Sequence, residues 1–229
     1  MPLPTKTRLR DLVQREASQN PPDSEDAAIL AVAGELCQEV GVDNSPVKID
    51  WAISRGMSGA SRSTSFLAPD TIIWADSLLE LQRGMKGRLD AEEWKPLLAS
   101  SLIYDRRLRG KLLLRELMFT ILPGFLASLF LGFGVILPEL QWAFFVNSSF
   151  YLILWSLPIF VIFGAIVLQG SRISKSLHLQ ADREAAGLVG KEKFVSTLSK
   201  IQGLNLKQLE RWRPDYPKLS ARLRNLDQI

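Results

Sequence analysis

The chain has 229 residues, 47 % of them hydrophobic and 23 % charged, with a formal net charge of +4. That length supports one globular core and does not call for several. A lone cysteine, Cys37, excludes an intramolecular disulfide and fits a reducing compartment, and basic residues gathered beside apolar runs, not interleaved with aromatics along a stripe, exclude a nucleic-acid binder.

Residues 1–25 read as a basic N-terminal tail, with Leu9, Leu12 and Val13 at helical spacing before a break at Pro21-Pro22. The first 30 residues contain no long apolar stretch of the kind a cleavable secretory signal needs. Ser24, followed by acidic residues, resembles a helix N-cap. Ile29, Leu30, Val32, Leu36 and Val40 then supply the apolar face of a helix that ends near Gly41. "VKIDWAI" alternates like a strand, and "RGMSGASRSTS" is rich in Gly and Ser and reads as a turn or loop. It lacks the lysine and the helix context of a phosphate-binding loop.

"SFLAPDTIIWADSLLELQ" is expected to run strand, turn, strand and the start of a helix. The segment 91–116 is helical by composition, punctuated by Pro96 and Gly110. Trp51, Trp74 and Trp94 read as core or interface aromatics. The acidic groups Asp90, Glu92 and Glu93, and Asp182 with Glu184, read as solvated faces or helix-start charges.

Two long charge-free runs follow, Leu117 to Leu137 and Trp142 to Leu168, separated by Pro138-Glu139-Leu140-Gln141. Each meets the roughly 20 residues that cross a hydrocarbon core of about 30 Å, so a transmembrane hairpin is expected over 117–168. Gly124, Ser128 and Gly132 form a small-residue face on which the second span would pack. Arg106, Arg107, Arg109, Lys111 and Arg115 precede the runs, and Arg172 and Lys175 follow them. An integral, two-pass protein with both termini cytoplasmic is expected, its basic flanks against the anionic headgroups of a lipid bilayer. Beyond the hairpin, helices are expected at 174–188, at 191–201 with Phe194, Leu198 and Ile201 on one face, and near the C-terminus around Leu219, Leu223 and Leu226. Residues 26–116 and 170–229 are expected to form one cytoplasmic α+β domain, mostly helical with a small sheet and split in sequence by the hairpin.

The order "GVDNSPVKIDWA", "SFLAPDTIIWADSLLELQ", "AEEWKPLLASSLIYDRRLRG", two apolar runs, "SRISKSLHLQADREAAGLVG" and "YPKLSARLRNL" resembles the HtpX-like membrane zinc metallopeptidases, relatives of the CAAX prenyl endopeptidases. The resemblance covers most of the chain from about residue 27 and implies a zincin-like domain. It also implies a helix over 91–110 bearing H-E-x-x-H, whose histidines bind zinc while the glutamate acts as general base. Family register puts the two histidines at Ser100 and Tyr104 and the base at Ser101. All three are replaced. On the next helix, the family's E-x-x-x-D pattern falls on His178, where the ligand glutamate would stand, and on Asp182, which matches. The family's His-Pro before the last helix is Tyr216-Pro217.

Hydroxyls are poor zinc ligands, and Ser101 cannot take a proton from water as a glutamate does. No catalytic residue, bound zinc or other cofactor is therefore expected. The expected function is that of a pseudoprotease: a metallopeptidase-like membrane protein that binds another protein as scaffold, complex subunit or regulator. The alternative is a membrane-bound hydrolase with a noncanonical site in which Ser100 or Ser101 is the nucleophile, His178 the base and Asp182 its orienter. A structural role for the pair His178 and Asp182, one helical turn apart, competes with that alternative.

Overall fold

A computed structural model of the protein describes residues 22–52, 68–75, 77–116, 118, 122–123, 148–204 and 215–229. The first element, α1 (Ser24–Val40), is capped by Asp23 and not by Ser24, the Asp23 side chain accepting a hydrogen bond from the Asp26 amide at 2.8 Å. A carboxylate at this position satisfies an orphan amide and complements the positive end of the helix. The helix stops at Gly41, whose φ of 74° is a left-handed conformation that glycine adopts without a Cβ clash. Ile29, Val32, Ala33, Leu36 and Cys37 form its buried face.

Three strands follow: β1 (Lys48–Ala52), β2 (Ile73–Ala75) and β3 (Leu78–Gln82). They form a sheet of order β1-β3-β2, with β3 parallel to β1 and antiparallel to β2. Lys48 pairs with Leu78 and Ala52 with Gln82 on one side, and Trp74 pairs with Leu79 on the other. "LLELQ" is thus strand and not the expected helix start. Cross-strand pairing on the inner face, where Leu79 and Leu81 are fully buried, outweighs the helix propensity of Leu, Glu and Gln.

A short 3-10 turn, Arg83–Met85, leads to α2 (Ala91–Ile103). The Asp90 amide donates to Glu93 Oε2 at 2.8 Å, half of the reciprocal arrangement that opens many helices. Trp94, Leu97, Leu98, Ala99, Ser100, Leu102 and Ile103 are all buried, so α2 is the central element of the core. It packs against α1 and against α5 (Lys191–Gly203), which in turn meets α6 (Leu219–Asp227). Truncating Leu98 or Leu102 to alanine should cost about 2–5 kcal/mol, since both are fully buried. Trp51 and Trp94 meet edge to face, centroids 6.1 Å apart.

α2 continues through a π-helical turn, Tyr104–Leu108, into α3 (Arg109–Glu116). The long helix α4 spans Ser148–Val189. The described residues fall into two compact units, one within Met1–Leu108, His178–Arg213 and Pro217–Ile229, the other within Arg109–Leu177 and Pro214–Tyr216.

The membrane expectation is corrected. Among the described residues no helix is long and apolar enough to cross a membrane. Neither the transmembrane hairpin over 117–168 nor the two-pass placement with both termini cytoplasmic is supported. Hydropathy scores the composition of a window and does not by itself establish that the window forms a spanning helix; most of the first run and the start of the second lie outside the described residues. Among the described residues the architecture is mostly helical with one small three-stranded sheet, in place of the expected zincin-like domain interrupted by a membrane hairpin. The packing residues Gly124, Ser128 and Gly132, the tail 1–21, the loop 55–65 and most of the first apolar run lie outside the described residues.

Candidate functional site: a buried carboxylate–guanidinium cluster

The residues in the metallopeptidase register come from three places in one compact unit: Ser100 and Ser101 from α2, Tyr104 from the π-helical turn, and His178 and Asp182 from the C-terminal part of α4. Successive residues on a helix point about 100° apart, and the two serines accordingly serve different neighbours. Ser100 Oγ donates to Asp182 Oδ1 at 2.6 Å. Ser101 Oγ accepts from Trp74 Nε1 of β2 at 2.8 Å and donates to the Leu98 carbonyl at 3.0 Å.

Asp182 is fully buried, contrary to the solvated face expected for it, and a charge taken out of water needs a partner. Arg222 of α6 provides one. Its Nε donates to Asp182 Oδ2 at 2.8 Å and its Nη2 to Oδ1 at 2.6 Å, a bidentate fork whose geometry suits a carboxylate. Its Nη1 donates to Asp70 Oδ2, from the segment that precedes β2. The Phe194 ring of α5 lies 5.6 Å from the guanidinium carbon. Asp70, Asp182 and Arg222 are all nine-tenths or more buried. One guanidinium therefore ties together four segments that are remote in sequence. Asn225, one helical turn further along α6, adds a bond to the Leu179 carbonyl at 2.9 Å and accepts from Arg183 at 2.9 Å.

His178 and Tyr104 meet differently. Their rings stack, centroids 3.7 Å apart and planes 12° from parallel. The i,i+4 pairing of His178 with Asp182 is thus not what occupies the carboxylate, whose two oxygens bond Ser100 and Arg222.

This arrangement bears on both chemistries considered for the chain. A serine–histidine–aspartate relay needs the imidazole between hydroxyl and carboxylate, yet here Ser100 donates to Asp182 directly. A carboxylate held on both oxygens by a guanidinium is badly placed to draw that proton away. For zinc, the three ligand positions of the family carry a serine hydroxyl, a tyrosine ring and one imidazole. The hydroxyl is engaged with an arginine-bound carboxylate, and a guanidinium at that distance repels a dication. These residues do not fit a catalytic zinc, which wants three good protein ligands and an open position. Among the described residues no group of three or more His, Cys, Asp and Glu side chains could hold a metal ion.

Cys37 offers no alternative nucleophile. Burial pushes its thiol pKa up, against a smaller opposing pull from Arg106, and the reactive thiolate is correspondingly disfavoured.

Asp70 and Arg222 are absent from the candidates read in sequence. For Arg222 a signal exists: in "LSARLRNL" it lies three residues after Leu219 and four before Leu226, on the apolar face of the helix. A charge placed on such a face must find a buried counter-charge. Asp70, in a short irregular segment, has no comparable signal. No family model matches the sequence, and neither a curated protein nor a solved structure matches it.

Proposed function

We propose that this chain is a catalytically inactive relative of the HtpX-like zinc metallopeptidases, a pseudoprotease that acts by binding another protein as scaffold, complex subunit or regulator of proteolysis. The observation that carries this reading is the direct bond from Ser100 to an Asp182 already clamped by Arg222. In the family register Ser100 stands at a zinc-ligand position, and here it belongs to a buried structural network. Ser101, at the position of the general base, accepts from an indole and has no carboxylate with which to activate water. Tyr104 and His178, at the other two ligand positions, are held ring against ring. With ligand and base chemistry lost, the retained domain is most economically a recognition surface.

The test is elemental analysis of the purified protein beside His178→Ala, together with peptidase assays on unfolded protein and on prenylated peptides. The expected result is no stoichiometric zinc in either protein and no hydrolysis. Stoichiometric zinc lost on substitution, or hydrolysis abolished by His178→Ala, would overturn the proposal in favour of a hydrolase built around Ser100, Ser101, His178 and Asp182. Protein binding is tested by crosslinking in cells and reconstitution of the captured complex from purified components; a chain that forms no such complex would leave no basis for a scaffold.

A further inference from the structure

We draw no further inference here: the strongest candidate, the side-chain cluster of Asp23, Glu25 and Asp26 at the start of α1, is an acidic helix N-terminus whose carboxylates already accept from the Lys86 ammonium, the Gly87 amide and the Trp51 indole, and nothing else among the described residues points to a ligand there.

Discussion

The Tyr104 and His178 rings lie nearly parallel, 3.7 Å between centroids, although 74 residues separate them in the chain (178 − 104). Both occupy positions at which the metallopeptidase resemblance implies zinc ligands. Their contact joins the π-helical turn after α2 to the C-terminal part of α4 and holds the two elements together through ring contact.

That contact should be measurable as a coupling energy. In a double-mutant cycle of Tyr104→Ala and His178→Ala, read by urea denaturation, the interaction is expected at about 0.5–1.5 kcal/mol. Strict additivity of the two substitutions would show that the stacked rings contribute nothing to stability.

Arg222 should be the most sensitive residue of the cluster, and Ser100 one of the more tolerant. Arg222→Met leaves Asp70 and Asp182 buried without their cation and should destabilise the fold by about 3–5 kcal/mol. Arg222→Lys keeps the charge but loses the two-pronged fork, so rescue should be partial. Ser100→Ala removes one hydrogen bond from a carboxylate that keeps Arg222, and about 1.5–3 kcal/mol is expected. Chemical denaturation of the three variants checks the order, and a Ser100→Ala loss as large as that of Arg222→Met would refute it.

The Glu93–Lys200 pair, bonded at 2.6 Å, should make stability depend on acid pH. Burial alone would raise the Glu93 pKa, but the Lys200 hydrogen bond, the Asp90 amide and the nearby charge outweigh it and hold the carboxyl below its ordinary 4.5. The folded state therefore binds this proton less readily than the unfolded chain does. The stabilisation is complete above the ordinary value and is lost as pH falls through the lower folded-state value. Lys200→Met should thus be less stable than the parent near neutrality, by under about 1 kcal/mol because the pair is partly solvated. The two curves should converge in acid. A gap between them that stays constant with pH would mean that the ion pair is not its source.

Local signals in the sequence determined a good deal of this protein. The helix that ends at Gly41, the strand at 48–52, the helical stretch from Ala91 and the buried face of Phe194, Leu198 and Ile201 all follow from short-range causes: apolar spacing, a left-handed glycine, β-branched and aromatic alternation. Ser100 and Asp182 lie on two helical segments legible in sequence, but the direct bond between them, without His178 in the middle, was decided in three dimensions. Other features were decided only in three dimensions. "LLELQ" became a strand because β1 and β2 flank it, which no window of five residues can contain. The two charge-free runs within 117–168 satisfied a hydropathy count, but that count is a one-dimensional average and does not say which helices form. Arg222, finally, is one basic residue among many in sequence. Its role came from burial beside Asp70, Asp182 and Phe194, contributed by three other segments. The energy of a buried charge depends on what surrounds it, and only the tertiary structure supplies those surroundings.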